Sequence, residues 1–77
     1  MNAFAQRIKT LRLTKGLTQT ELGEKLGMAY MAVFNWESGR LPRPNKLPKI
    51  ARILGVEPEE LAKLWMEVSL EKERKEK

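Results

Sequence analysis

The side chains that enzymes use most often for nucleophilic attack and proton transfer are missing from this sequence, which contains no cysteine and no histidine. The acidic residues are scattered glutamates, and their pattern gives no carboxylate pair in a plausible cleft. The same two absences remove the commonest zinc ligands. We therefore expect no enzymatic activity, no metal site and no cofactor.

Binding is the chemistry that the composition favours. Lysine and arginine number 15 against 10 acidic residues, so the net charge is +5 at pH 7. A basic surplus on a small domain raises the odds of a polyanionic partner, although many basic proteins bind no nucleic acid.

A helix predicted over about residues 29–38 concentrates the candidate binding side chains on one face. At helical spacing, its core face carries Ala29, Ala32, Val33 and Trp36. The opposite, exposed face carries the large apolar side chains of Tyr30, Met31 and Phe34, together with Asn35 and Ser38.

Residues 18–39 place that helix after a second, shorter one. The shorter helix spans about residues 19–26, with Thr18 as its N-cap and Gly27 as a left-handed stop. Two helices joined by a short glycine-containing turn form a helix-turn-helix, in which the second helix is the one presented to DNA.

Three further helices must support this pair. Residues 1–15 form an amphipathic helix, Asn45 is predicted to cap a fourth helix that ends at Leu54, and Pro58 opens a fifth. No segment has strand periodicity, so we predict an all-α fold with one domain over residues 1–70. Residues 71–77 are apolar-free and charged, and we interpret them as the end of the fifth helix or a frayed tail. The fifth helix carries a buried stripe of Leu61, Leu64, Trp65 and Val68.

The residues at these positions resemble the Cro and phage-repressor type of helix-turn-helix domain, the xenobiotic-response-element-like family. The similarity covers about residues 3–66 and implies a compact five-helix, lambda-repressor-like domain that binds double-stranded DNA in a sequence-specific way. Two departures are Gly23, where the family usually has alanine, and Ala29, where it usually has a serine or threonine cap. The matching residues are Gly16-Leu17-Thr18-Gln19, Leu22, Leu26-Gly27, Val33, Trp36-Glu37, Gly39, Pro44, Leu47, Ile50-Ala51, Leu54-Gly55-Val56 and Glu60-Leu61.

The resemblance also implies roles for individual residues. Arg12 and Glu37 stand at positions of an inter-helix ion pair, with plain surface charge as the alternative. Gln19 stands where the family holds a DNA phosphate, and its alternative is an exposed residue at a helix start. Phosphate contacts are further expected from the helix N-terminus at Thr18 and from the loop and helix start that carry Arg40, Arg43, Asn45 and Lys46.

Tyr30 and Met31 occupy positions at which the family has base-reading glutamines, and Phe34 and Asn35 follow one turn later. Asn35 can pair with adenine or hold a phosphate, whereas Met31 and Phe34 can only make apolar contacts with thymine methyl groups. We therefore expect a site that is rich in A·T pairs. A domain of this size contacts few base pairs, which favours a homodimer, at least on DNA, and a palindromic operator. The dimer interface would use Leu64, Met66 and Leu70. The alternative is that Met66 and Leu70 are isolated apolar side chains on the surface, with no partner.

The apolar face of the third helix leaves one competing hypothesis open. Exposed apolar clusters mark interaction surfaces, so the domain could dock on a protein, as an antitoxin or coactivator element does. No apolar run approaches the ~20 residues of a membrane span, and the N-terminus lacks a signal-peptide core. We expect a cytoplasmic regulator of repressor or controller type that has no membrane partner and no small-molecule ligand.

Overall fold

The computed structural model describes residues 2–75 and contains five α-helices in that part of the chain. They are α1 (Ala3–Thr14), α2 (Gln19–Leu26), α3 (Tyr30–Glu37), α4 (Leu47–Leu54) and α5 (Pro58–Lys75), with a short 3-10 helix over Pro44–Lys46. Residues 2–75 form no β-strand, as the sequence predicts. No helix among them is long and apolar enough to cross a membrane.

All five helices contribute to one apolar core. α3 packs against α1 and α2, while α5 packs against α1 and α4. Seven side chains at the centre are almost completely buried: Phe4, Ile8, Leu22, Val33, Ile50, Leu54 and Leu61. The helix-turn-helix pair therefore lies on a support formed by the other three helices.

Local hydrogen bonds set the ends of the first two helices. Asn2, which the sequence reasoning did not single out, caps α1 by accepting from the Ala5 N–H at 2.7 Å. Thr18 and Glu21 form a reciprocal capping box at the start of α2, with bonds of 2.9 and 3.0 Å. Gly27 ends α2 at φ 69°, a left-handed conformation that favours glycine.

Two sequence predictions about helix ends need correction. Asn45 does not cap α4, because Pro44 starts a 3-10 turn in which the Lys46 N–H bonds to the Arg43 carbonyl. α4 begins only at Leu47, and no side chain caps it. Ala29 is exposed rather than part of the core face, because it precedes α3 in an extended conformation where helical spacing does not apply. The charged C-terminal segment remains helical to Lys75, and residues 76 and 77 lie outside the described range.

Gly23 allows α2 to lie directly against the turn that leads into α3. A Cβ at this position would come within 2.9 Å of the Met28 carbonyl oxygen and 3.2 Å of the Ala29 backbone. The neighbour that a Cβ would meet is therefore backbone of the turn. This close approach explains why glycine is tolerated inside a helix despite its low helix propensity.

Gly23→Val is expected to lower the free energy of unfolding by about 2–4 kcal/mol, because the turn backbone must move to admit the side chain. Glu24→Val is the matched control: it places the same residue on the exposed face of the same helix and should cost less than about 1 kcal/mol. Urea unfolding of both variants measures the difference. Equal losses of stability would contradict the close approach.

Ala29→Ser is expected to raise stability by about 0.5–1 kcal/mol. The residue has φ −72° and ψ 154°, which suits an N-cap, but it gives α3 no side-chain hydrogen bond. A serine hydroxyl can accept from a free N–H in the first turn, whereas Ala29→Val cannot. In thermal unfolding, the serine variant should melt at a higher temperature than the wild type, and the valine variant should not. The reverse order would show that α3 does not gain stability from a side-chain N-cap.

Candidate nucleic-acid interface

A buried ion pair fixes the position of α3 relative to α1. Arg12 Nε donates to Glu37 Oε2 at 2.7 Å, and a second guanidinium nitrogen donates to Glu37 Oε1 at 3.0 Å. Arg12 also donates to the Leu17 carbonyl at 2.8 Å, so it ties the chain before α2 into the same unit. Both charged residues are at most 7% exposed. The bonds from Arg12 to Glu37 raise the pKa of the guanidinium, so Arg12 stays charged at any physiological pH.

Gln19 joins this ion pair from the start of α2. Its side-chain amide donates to Glu37 Oε1 at 3.2 Å, and the residue is half-buried. Sequence reasoning predicted a phosphate contact or an exposed residue, and it did not foresee this bond. The side-chain amide has a second N–H, and within residues 2–75 the backbone N–H groups of Gln19 and Thr20 have no acceptor. The start of α2 therefore retains free donors, while the Thr18 hydroxyl and backbone N–H are engaged with Glu21.

The outer face of α3 is apolar and exposed. Tyr30, Met31 and Phe34 are 50%, 47% and 46% exposed, while Asn35 is half-buried at the edge of this face. Val33 and Trp36 lie beneath them in the core. The structure thus brings the four predicted base-contacting side chains onto one helix of two turns, on the side away from the core.

A basic segment borders this face. Residues 38–56 contain five cationic side chains and no acidic one, whereas the ten basic residues elsewhere are balanced by the ten acidic residues of the chain. Arg40, Arg43 and Lys46 line an open concavity of about 370 Å³ together with Asn35. Three of these five cations, Arg40, Arg43 and Lys46, lie beside α3, whereas the other two lie on α4. The regular spacing of these cations could have been recognised in the sequence. They are Arg40, Arg43, Lys46, Lys49 and Arg52.

The remaining predicted phosphate contact, Asn45, is exposed within the 3-10 helix beside Lys46. Lys49 is partly engaged, because its ammonium group donates to the Leu26 carbonyl at 3.4 Å. Arg40, Arg43 and Lys46 are exposed, and the rest of the lining of the concavity, apart from Asn35, is apolar.

The side chain of Arg7 forms an ion pair with α5. Its guanidinium makes two bonds, 2.6 and 3.3 Å long, to the carboxylate of Glu60 on α5. The hydrogen bond from Arg7 lowers the pKa of Glu60, and the bond to the Thr18 backbone N–H lowers the pKa of Glu21. Sequence reasoning missed the Arg7–Glu60 pair because the two residues are 53 positions apart and neither carries a local signal.

The stability of the protein is expected to decrease as the pH is lowered below about 5. The pKa of Glu60 is lower in the folded than in the unfolded state, so its stabilising effect is present above the unfolded pKa and lost as the pH falls through the folded one. Glu60→Gln should therefore lose less stability on acidification than the wild type, as measured by urea unfolding at neutral and acidic pH. Glu59→Gln, which removes an adjacent carboxylate without an ion pair in the described residues, serves as the control and should follow the wild type.

The predicted dimer residues differ in exposure. Met66 and Leu70 are 53% and 47% exposed on α5, whereas Leu64 is half-buried and packs against the core. Leu13, on α1, is 57% exposed and was not singled out in the sequence. α5 therefore offers two large apolar side chains one turn apart to a partner surface.

The chain matches a known protein family. A family described as helix-turn-helix matches residues 8–61, which is more than half of the chain and includes α2, α3 and the basic segment. The match ends before Leu64, Met66 and Leu70 on α5. No solved structure matches the chain.

Proposed function

The chain belongs to the DNA-binding helix-turn-helix family of the Cro and phage-repressor type, and from this we propose that it is a repressor or controller that binds a palindromic operator as a homodimer. The observation that carries the proposal is the position of the exposed α3 face beside a basic segment that has no acidic residue. An exposed helix bordered by uncompensated positive charge suits the major groove and the phosphates on its rim.

In this proposal, the four exposed side chains of α3 determine sequence preference. Asn35 pairs with adenine, Tyr30 donates a hydrogen bond, and Met31 and Phe34 contact thymine methyl groups. Because none of these contacts selects guanine, the half-site is rich in A·T pairs. One good bidentate contact discriminates between bases by about 1–3 kcal/mol, so Asn35 contributes the most to specificity.

Phosphate contacts supply most of the affinity. Arg40, Arg43, Asn45 and Lys46 hold one stretch of backbone. The free backbone N–H groups of Gln19 and Thr20 hold another at the start of α2, together with the Thr18 hydroxyl, which accepts from Glu21 and can still donate its own proton. Glu37 orients the Gln19 amide toward its position at the interface. Each phosphate that the protein neutralises steepens the dependence of log K on log salt by about 0.9.

Dimerisation through α5 would double the number of base pairs contacted. Met66 and Leu70 provide the exposed apolar contacts, whereas Leu64 is half-buried on the core side of α5 and would contribute only at the margin of the interface. Two recognition helices in a symmetric dimer contact half-sites about 34 Å apart, so the operator is palindromic.

A second candidate function rests on one observation, the apolar character of Tyr30, Met31 and Phe34. A protein partner could cover this surface, since such side chains are enriched in interface cores. In that case, the domain acts as an antitoxin or coactivator element and the basic segment contributes only non-specific affinity for DNA.

Selection of binding sites from a random duplex library, repeated at about 50 and 200 mM salt, distinguishes the two functions. The proposal predicts a palindromic consensus that is rich in A·T pairs under α3 and a steep loss of affinity at the higher salt. Enrichment of no sequence, with weak binding to every duplex, would favour protein docking. A consensus made only of G·C pairs would contradict the assigned contacts of α3.

A further inference from the structure

The loop between α3 and the 3-10 helix has few internal hydrogen bonds. At its start the Arg40 N–H donates to the Asn35 carbonyl at 3.0 Å, and at its end the Lys46 N–H donates to the Arg43 carbonyl at 2.9 Å. Between these two bonds, no other backbone hydrogen bond forms to residues 41–43 within the described part of the chain. Pro42 has no N–H to donate. The backbone between the two arginines therefore depends on other elements for its position.

Trp65 on α5 donates a side-chain hydrogen bond to the backbone of this loop. Its indole Nε1 donates to the Pro42 carbonyl at 2.7 Å, across 23 residues of sequence. Pro42 is buried, and both Trp65 and Leu41 pack against the core. The aromatic ring and the hydrogen bond thus fix the centre of the loop to α5, and the two arginines flank this fixed point.

We propose that Trp65 is a positioning residue for DNA binding, because its bond to Pro42 holds the loop that presents Arg40 and Arg43 beside α3. This inference rests on the proposed function, since it concerns the same interface. A loop that is already ordered loses less conformational entropy when its side chains bind a phosphate. Trp65 touches no DNA in this account and acts only through the loop. The C-terminal helix therefore contributes to affinity for DNA in addition to any dimer contact.

Trp65→Phe removes the indole N–H and keeps an aromatic ring. The variant is expected to bind a mixed-sequence DNA duplex about tenfold more weakly than the wild type, the factor that corresponds to 1.4 kcal/mol. Val68→Ala is the matched control: it removes buried apolar atoms from the same helix but no bond to the loop, and should leave the affinity of the folded protein unchanged. Equal affinity losses in the two variants would overturn the inference.

A double-mutant cycle separates a positioning role from a general structural one. In a background of Arg40→Ala and Arg43→Ala, Trp65→Phe should change affinity by less than about twofold, since the arginines that it positions are gone. A full tenfold loss of affinity in that background overturns the inference. A weaker self-association of Trp65→Phe, measured by sedimentation, also overturns it if the change is large enough to explain the loss of affinity. If the wild type itself fails to bind the duplex at low salt, the proposed function fails and this inference with it. If the wild type binds and Trp65→Phe binds equally well, only this inference fails.

A measurement on the unmodified protein covers the case in which Trp65→Phe does not fold. Hydrogen exchange of the Trp65 indole N–H, followed by NMR, should be slow in the free protein and slower still when the duplex is added. An indole proton that exchanges rapidly in both states would overturn the proposed role of the bond.

Discussion

Arg12→Met is expected to lower the free energy of unfolding by about 3–5 kcal/mol, the typical cost of leaving one member of a buried ion pair without its partner. The negative charge of Glu37 would be at most partly compensated, since the Gln19 amide is the one other side chain that donates to it among the described residues. The Leu17 carbonyl would lose its donor as well. Because domains of this kind have only about 5–15 kcal/mol of stability in total, the loss should be visible as a large drop in the urea midpoint.

Two further variants show whether burial causes this effect. Arg7→Met breaks the Arg7–Glu60 pair, whose side chains are 40% and 38% exposed, and should cost no more than about 1 kcal/mol. The double variant Arg12→Met/Glu37→Leu removes both buried charges and should recover most of the lost stability. If Arg12→Met costs no more than Arg7→Met, the buried pair does not determine the position of α3.

The second large effect concerns affinity for DNA. The double variant Arg40→Ala/Arg43→Ala should reduce the slope of log K against log salt by about 1.8, because two phosphate contacts are lost at about 0.9 each. Affinity should fall on every duplex alike, since phosphate contacts carry no sequence information. Fluorescence anisotropy titrations across a range of salt concentrations measure both quantities.

Lys63→Ala/Lys72→Ala is the matched control, because it removes the same charge from exposed positions on α5, outside the basic segment. It should leave the slope almost unchanged. A change of slope equal to that of the arginine variant would mean that net charge alone, and not the segment beside α3, attracts the polyanion.

Much of the scaffold could be predicted from the sequence because its signals are local. Apolar residues three and four apart mark the core side of each helix, and Thr18 and Gly27 give the ends of α2 by their own conformational preferences. The Arg12–Glu37 pair followed from the family resemblance alone, since nothing in the local sequence connects two charges that are 25 residues apart.

Contacts between distant residues were not predictable in the same way. The bonds from Arg7 to Glu60, Trp65 to Pro42 and Asn2 to Gly39 join residues 23 to 53 positions apart, and a single charge or amide does not indicate its partner. Ala29 differs from its prediction for another reason: it precedes the helix, so helical spacing does not determine which way it faces. The side chain of Asn45 favours a cap, but the preceding proline begins a 3-10 turn instead.

In the proposed mode of binding, the exposed face of α3 recognises DNA sequence while the basic segment supplies affinity. The most direct test is the ratio of affinities for the selected duplex and a scrambled one, measured for the wild type and for the variant Tyr30→Ala/Met31→Ala/Phe34→Ala/Asn35→Ala. The wild type should prefer the selected duplex by at least about 10³-fold. The variant should bind both duplexes equally, at the affinity of the wild type for the scrambled one. A variant that keeps the preference of the wild type would show that residues outside this face recognise the sequence.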